Sequence, residues 1–416
     1  MVRKSEFCMQ KLKLKRVENV LLFLTLLFLP TQLGKHFWPQ FSYIYSLKVD
    51  YLSPTLYFWD ILVMGLLIAW TLRKPYINKI ALNLFLFFLF TQALSLLGTS
   101  NIGAGLVRLE QYTIAGFFGV YLASVIPSHV PEFIYLPLTL GIIGESILAI
   151  LQFIKGSTLG LWVLGERAFT ISTPGIAKID FYGWEFLRPY ATFPHPNVLA
   201  AFILLGICIM YQVLREKQRI ATLAMVFGSI AIFLAMSRTA ILAGFISAAF
   251  LIRRKWLIFM GVLLLVLSPI LFTRFSSLFS FDNLTILRRE ELAGSAWQMF
   301  LKFPFFGVGL NNFIPTVAND LVTGPSRFLQ PVHNIFLLAL SETGLVGLIG
   351  LVGLVGFPAL SSKWIPACAG MTVSKRVLLP WFVILFLGMF DHYFLTLPQG
   401  YRLLFLVWGL SFSMLK

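Results

Sequence analysis

Runs of about 20 apolar residues, separated by short polar segments, recur along almost the whole chain and restrict its fold more than any other feature. A helix needs about 20 such residues to cross the roughly 30 Å hydrocarbon core of a bilayer. The 416 residues are 58% hydrophobic and 12% charged, with a mean hydropathy of +0.85, which excludes an ordinary soluble domain. The sequence therefore predicts an all-α polytopic membrane protein with about twelve transmembrane helices. The predicted spans are 18–34, 54–72, 79–98, 107–126, 133–154, 197–214, 220–237, 239–252, 256–272, 334–358, 377–395 and 401–415.

The basic residues set the orientation of these spans. More than half of the 33 Lys and Arg residues lie in compact clusters at the N-terminus and in alternate connecting segments. This positive-inside pattern predicts that both termini face the cytoplasm. It also explains the net charge of +16 without nucleic acid, so we expect membrane lipids and no nucleic acid as partners. The 127–132 connection contains no Lys or Arg and does not contribute.

Two predicted outer loops, 155–196 and 273–333, are much longer than turns and mix aromatic, Gly, Pro and polar residues. The second contains apolar residues at helical spacing, which predicts a short helix along the membrane surface. These residues are Leu292, Ala296, Trp297 and Phe300. We divide the chain into N-terminal spans one to five (1–154), a core (155–350) and C-terminal helices (351–416). The core comprises both long loops, spans six to nine and the start of span ten.

Polar residues gather where the long loops meet the spans. Arg188 precedes span six by nine residues, Arg238 lies between two short spans, and His333 opens span ten. Under the predicted topology all three face the outer side. Guanidinium groups bind phosphate oxygens in a bidentate manner, and a neutral imidazole can accept a proton from a hydroxyl group. The pattern therefore indicates a site for an anionic headgroup.

Simpler interpretations exist for several of these residues. His195 and Asn197 can cap the following helix, and Arg238 can be a cation at a helix end. His333 can be an ordinary interface histidine. The sequence leaves these alternatives open.

The roles of three other sets of charged residues also stay open. Glu342 lies nine residues after His333, about 180° away on an ideal helix, and needs a buried partner. Arg108 is expected to pair with Glu110 or another buried acid. Arg288 and Arg289 can contact phosphate, although the acidic residues that directly follow them favour a solvated face.

Four motifs occur in a specific order in residues 185–350. They are R-x-x-x-T-F-x-H-P-N-x-L-A, S-R-T-A, P-x-x-G-V-G-x-N-N-F and H-N-x-F-L-x-x-x-x-E-T-G. Together they resemble the O-antigen ligase and polymerase superfamily of bacterial envelope proteins. The first 150 residues agree with it only in the pattern of spans.

This resemblance implies a GT-C-like fold in the bacterial inner membrane, with a large periplasmic loop containing short helices and a periplasmic active site. It implies transfer of a glycan from undecaprenyl pyrophosphate to a hydroxyl of lipid A-core or another acceptor, without nucleotide sugar, cofactor or metal. In the family, arginines of the first two motifs hold the pyrophosphate and the histidine of the H-N motif acts on the acceptor. Carried over, these residues are Arg188, Arg238 and His333.

The sequence contains no D-x-D, the carboxylate pair that commonly holds a metal with a sugar nucleotide. A leaving group balanced by protein cations is consistent with this. We expect inversion by in-line attack, with His333 as base and Arg188 and Arg238 stabilising the diphosphate. The other expected substrate-binding residues are His195, Asn197, Asn334, Glu342, Arg288 and Arg289.

Two other enzymes and one other class of protein remain open. A polymerase joining lipid-linked repeat units, or a protein O-oligosaccharyltransferase, would use the same donor and a different acceptor. A polytopic lipid or polysaccharide transporter would place polar groups near the bilayer midplane in corresponding halves, whereas most of them here lie at one rim.

Overall fold

The structure is a computed structural model, and its described residues fall into seven continuous ranges with a few isolated positions between 265 and 275. The ranges are 2–125, 132–181, 183–210, 219–251, 284–320, 329–364 and 370–414. Most of these residues are helical. The helices are α1 (Val2–Leu27), α2 (Phe58–Leu72), α3 (Lys79–Leu94), α4 (Ile102–Val125), α5 (Glu132–Lys155), α6 (Pro196–Met210), α7 (Arg219–Leu234), α8 (Arg238–Leu251), α9 (Leu284–Lys302), α10 (Phe313–Asp320), α11 (Ile335–Trp364), α12 (Gly370–Gly388), α13 (Tyr393–Thr396) and α14 (Pro398–Met414).

The helical membrane architecture agrees with the sequence at a coarse level. Within the described ranges, three helices are long and apolar enough to cross a bilayer, at Lys79–Gly98, Ile134–Lys155 and Ile335–Gly356. Shorter apolar helices accompany them, at Phe58–Leu72, Pro196–Met210, Arg219–Leu234, Arg238–Phe250 and Leu378–Gly388. Twelve spans stay a prediction, and most of the predicted span at 256–272 lies outside the described residues.

Several predicted span boundaries are wrong because periodicity does not show where an apolar run leaves the helix. The helix in the first span ends at Leu27, and residues 28–57 form turns and short antiparallel strands. The strands are β1 (Gly34–His36) with β4 (Thr55–Tyr57), and β2 (Tyr43–Ile44) with β3 (Leu47–Lys48). A third antiparallel pair, the β5–β6 hairpin, joins β5 (Lys178–Phe181) to β6 (Trp184–Leu187).

Aromatic side chains hold the centre of the helical packing. Helix α14 packs along α4, α11 packs on α3 and α9, and α12 contacts α6, α8 and α14. Trp408 is fully buried and lies edge-on to Phe405 and Phe412. Arg402 is also fully buried; its guanidinium lies over the rings of Tyr57 and Trp59 and donates to the backbone carbonyls of Leu29 and Thr31. This cation fixes the end of α1 against α14.

The long loops lie together at one end of the helices. The Thr31 hydroxyl donates to the Leu164 carbonyl, and Arg167 reaches Asp50, which joins segment 28–57 to segment 155–196. The Tyr45 hydroxyl donates to the Ala318 carbonyl and so connects the first segment to α10. At the opposite end, Arg73 donates to the Glu18 carboxylate at 2.8 Å. The two outer loops named from the sequence therefore share a side in their described parts.

Helix α11 is interrupted at Gly344, whose φ of 61° and ψ of −163° are not helical. Segment 304–309 lies against the break. Leu345 N–H donates to the Pro304 carbonyl at 2.9 Å, and Val308 N–H donates to the Ser341 carbonyl at 2.9 Å. A Cβ at position 344 would lie 2.4 Å from the Phe305 carbonyl carbon. The break thus needs glycine both for its dihedral angles and for this close approach.

We expect Gly344→Ala to destabilise the protein by at least about 2 kcal/mol, since the substitution combines positive-φ strain with a backbone clash. The measurement is the thermal unfolding midpoint in detergent. Gly353→Ala is the matched control, because a Cβ at that helical position meets nothing closer than 3.8 Å. A Gly344→Ala midpoint equal to that of the control would contradict the prediction.

Candidate active site

Arg188 is placed by the β5–β6 hairpin, just beyond Leu187, where its N–H donates to the Ala177 carbonyl at 3.0 Å. Its side chain is only 6% exposed. Nε donates to the Ala235 carbonyl at 2.8 Å, and Nη2 donates to Asn197 Oδ1 at 2.9 Å. Arg188 therefore connects the first outer loop to the turn between α7 and α8 and to the start of α6.

Asn197 continues this chain of hydrogen bonds toward His333. Its Nδ2 donates to Asp391 Oδ2 at 3.1 Å, and His333 Nδ1 lies 3.3 Å from Asp391 Oδ1. The interpretation of Asn197 as the helix cap is wrong, because its side chain is engaged in these contacts. The cap of α6 is His195, whose Nδ1 accepts from the Asn197 N–H at 3.1 Å.

Asp391 is the acceptor at the centre of the cluster. Burial alone would raise the pKa of Asp391, but the hydrogen bond from His333 outweighs it and holds the pKa well below its usual range. An ionised carboxylate only accepts, so the proton of the contact belongs to His333 Nδ1. His333 Nε2 then carries the lone pair that a general base requires.

His392 lies beside this pair, with its ring centroid 5.1 Å from that of His333. Its backbone N–H donates to Asp391 Oδ1 at 2.9 Å, and its Nδ1 lies 2.7 Å from Thr396 Oγ1. Burial lowers the pKa of His392 to about 3. The Tyr51 ring lies edge-on to His392 at 5.7 Å and brings segment 28–57 to the cluster.

Three arginines lie near His195 or near the turn between α7 and α8. They are Arg188, Arg238 and Arg289. Arg238 begins α8 directly after the turn that Arg188 holds, and the turn includes Met236 in a left-handed conformation. Arg289 on α9 lies within electrostatic range of both Arg238 and His195. Within the described ranges, Arg289 Nε is buried and has no hydrogen-bond partner. The interpretation of Arg288 and Arg289 as a solvated face is therefore too simple, since Arg289 turns inward while Glu290 and Glu291 are exposed.

Asn334 and Glu342 have contacts that support structural roles. Asn334 Oδ1 caps α11 by accepting from Phe336 N–H and Leu337 N–H, each at 2.9 Å. Glu342 is 8% exposed and accepts from Phe313 N–H at 3.2 Å, on segment 311–313.

Arg108 is buried next to that segment. It donates to the Thr396 carbonyl and to Asn311 Oδ1 and lies within electrostatic range of Glu342. Glu342 is thus a buried acid that interacts with Arg108, whereas the hydrogen bonds of Arg108 go to Thr396, Tyr51 and Asn311 and not to Glu110.

Asp391 and His392 are the residues that the sequence reasoning missed. They lie inside the predicted span 377–395, which hid them, because helix α12 ends at Gly388. A charged residue followed by histidine inside an apolar run was the available signal.

The free energy of unfolding should fall as the pH drops below about 6.5, because burial, assisted by Arg188, lowers the pKa of His195 to about 3. A histidine with a lowered folded-state pKa contributes stability above its unfolded pKa of 6.5 and loses it as pH falls toward 3, by at most about 1.4 kcal/mol per pH unit. The measurement is the unfolding midpoint in detergent between pH 7.5 and 5. His195→Asn is the control, since Asn keeps a cap acceptor and cannot titrate. Equal pH dependence in both proteins would refute the assignment.

Residues 223–352 match the family model described as O-antigen ligase. This stretch, about a third of the chain, is similar to an O-antigen ligase domain. The resemblance to the O-antigen ligase and polymerase superfamily is thereby confirmed. A comparison with curated proteins gave no match.

The matched O-antigen ligase segment contains Arg238, Arg289 and His333, whereas Arg188 and Asp391 lie outside it. The match supports, at a coarse level, a membrane glycosyltransferase-like enzyme of O-antigen biosynthesis. In the structure, hydrogen bonds to Asn197 connect Arg188 and Asp391 to the same cluster.

Proposed function

We propose that the protein transfers a glycan from undecaprenyl pyrophosphate to an acceptor hydroxyl, by inversion and without a catalytic metal. One observation carries the proposal. A continuous hydrogen-bond chain runs from Arg188 through Asn197 and Asp391 to His333, so residues from three separate segments are held as one unit. The similarity of residues 223–352 to the O-antigen ligase family supports this class of reaction.

His333 is the proposed base. Asp391 holds the His333 Nδ1 proton, which leaves Nε2 to accept the proton of the acceptor hydroxyl as its oxygen attacks the sugar carbon. The carboxylate also stabilises the imidazolium that forms. The bond from the sugar carbon to the diphosphate oxygen breaks in the same step, and the diphosphate leaves with the electron pair.

Arg238 and Arg289 are the proposed phosphate ligands. They are half-buried and close enough to repel one another, an arrangement that a diphosphate between them relieves. Arg188 adds positive charge and acts chiefly as a positioning residue, because it holds the Ala235 carbonyl three residues before Arg238. His195 stays neutral at the same edge.

The acceptor is proposed to be lipid A-core, as in a ligase. The β5–β6 hairpin leads directly into Arg188 and exposes Trp184 and Phe186, which are the proposed contacts for an acceptor. A polymerase or a protein O-oligosaccharyltransferase would share every residue of the cluster and differ only in what this outer surface binds.

The decisive experiment supplies purified protein with a lipid-linked glycan and, in separate reactions, lipid A-core, a second lipid-linked repeat unit or a hydroxyl-bearing peptide. Release of undecaprenyl pyrophosphate only with lipid A-core supports the ligase. Release only with one of the other acceptors assigns the corresponding alternative, and release with none in active preparations rejects the transferase.

Sidedness is tested by single cysteines in a variant without Cys8, Cys208 and Cys368. Ser172→Cys and Glu290→Cys are exposed on the two loops, and Lys74→Cys is exposed at the opposite end. An impermeant thiol reagent added to intact spheroplasts should label the first two and spare the third. Labelling of Lys74→Cys instead would reverse the proposed periplasmic location of the site.

A further inference from the structure

Three side chains in the cluster have the composition of a transition-metal site. His333, Asp391 and His392 each offer one ligand atom, and these atoms lie within 4.8 Å of one another. Asp391 and His392 are almost fully buried and His333 is partly buried. Two imidazoles and one carboxylate suit Zn²⁺ and related cations, whereas Mg²⁺ and Ca²⁺ prefer oxygen ligands alone.

The hydrogen bonds around His392 leave the lone pair on its Nε2, where it can coordinate a metal ion. The Thr396 hydroxyl donates its one hydrogen to the His392 carbonyl at 3.2 Å, so its oxygen accepts from His392 Nδ1 at 2.7 Å. In the neutral ring the lone pair is then on Nε2. That atom faces Asp391 Oδ1 at 4.0 Å, too far for a hydrogen bond. A lone pair opposite a carboxylate oxygen favours a cation between them.

The two distances to Asp391 need little adjustment, and the two imidazole nitrogens, which lie within 4.8 Å of one another, must move closer together. Ligand atoms around a tetrahedral Zn²⁺ with bonds of 2.0–2.1 Å lie about 3.4 Å apart. The contact from His333 Nδ1 to Asp391 Oδ1 is already 3.3 Å, and the contact from His392 Nε2 at 4.0 Å must shorten by about 0.6 Å. Outer partners that orient the ligands are present, because Asn197 holds Asp391 Oδ2 and Thr396 holds His392.

We propose that His333, Asp391 and His392 bind one Zn²⁺-class cation and that this binding inhibits the enzyme. Coordination through His333 Nδ1 moves the ring proton to Nε2, the nitrogen that must accept a proton from the acceptor. A bound cation thus locks the base in its inactive tautomer. The inhibitory part of this inference rests on the proposed function, whereas the binding part does not.

The test begins with direct binding. Full-length protein in detergent, treated with EDTA and then freed of it, is titrated with ZnCl₂ in a calorimeter. We expect one equivalent bound, and affinity reduced at least 10-fold by Asp391→Asn, by His392→Gln and by Thr396→Val, which removes only an outer partner. His36→Gln is the control, since His36 lies on the same face, where it hydrogen-bonds to the hydroxyl groups of Ser53 and Thr55 and packs on the rings of Trp38 and Tyr57. No binding, or binding unchanged in Asp391→Asn, overturns the proposal.

Two further measurements use the wild-type protein and so do not depend on the folding of a variant. The first tests metal coordination and the second tests its effect on activity. Co²⁺ added to the wild-type protein should give the visible absorption of a four-coordinate site, and its absence would count against the proposal without any variant. Zn²⁺ should stop glycan transfer, and EDTA should restore it. Stimulation by Zn²⁺ would refute the inhibitory role. Transfer that survives His333→Ala while Zn²⁺ still binds the wild type would refute the proposed function and leave the metal site standing.

Discussion

Replacing His333 by alanine is expected to lower kcat for glycan transfer by about 10³-fold, because the acceptor hydroxyl then loses its proton acceptor. Asp391→Asn should cost about 10²-fold, since an amide no longer fixes the tautomer or balances the imidazolium charge. The measurement is the rate of release of undecaprenyl pyrophosphate at saturating donor and acceptor.

A double variant tests whether Asp391 acts through His333. If Asp391 acts through His333, the double variant His333→Ala and Asp391→Asn should be no slower than His333→Ala alone. Losses that multiply would show that Asp391 acts independently of His333. The His36→Gln variant controls for loss of a histidine on the same face, and its rate should match the wild type.

Replacing Arg238 by lysine is expected to lower kcat/KM for the lipid-linked donor about 10²-fold, although the charge is kept. The planar guanidinium binds two phosphate oxygens at once, and the ammonium group of lysine cannot reproduce this geometry. Arg238→Ala should lose about 10³-fold, near the upper range for removing one donor from a developing oxyanion.

The matched control is Arg73→Lys, which makes the same exchange in an ion pair with Glu18 at the opposite end of the helices. It should leave donor kinetics unchanged. Wild-type kcat/KM in Arg238→Lys would remove bidentate phosphate binding from the proposal and leave only a requirement for charge.

The sequence predicted the parts of the fold that depend on composition. Apolar runs located most of the helices, and the helical spacing in segment 284–302 located α9. The apolar residues that indicated α9 do not all share one buried face: Leu292 and Ala296 are buried, whereas Trp297 is 49% exposed and Met299 is buried. Periodicity finds a helix more easily than it finds its buried side, because several angular positions fit the same apolar residues.

The site was partly predictable for a different reason. Arg188, Arg238 and His333 each stood out because a polar group at a membrane entrance is costly and needs a purpose. Asp391 and Asn197 connect them only through folding, and the distance between their positions in the chain gives no sign of the 3.1 Å contact. Glu342 was conspicuous for the same cost, yet it caps the backbone at Phe313.

The interruption of α11 restricts how this enzyme can be re-engineered. Segment 304–309 is hydrogen-bonded through its own backbone to the two halves of that helix, so the helix restricts the length and the dihedral angles of the segment. Loop exchanges made to test the proposed acceptor surface must leave this segment intact. The Lys178–Leu187 hairpin, tied to the cluster mainly at its base, is the place where foreign sequence can be grafted.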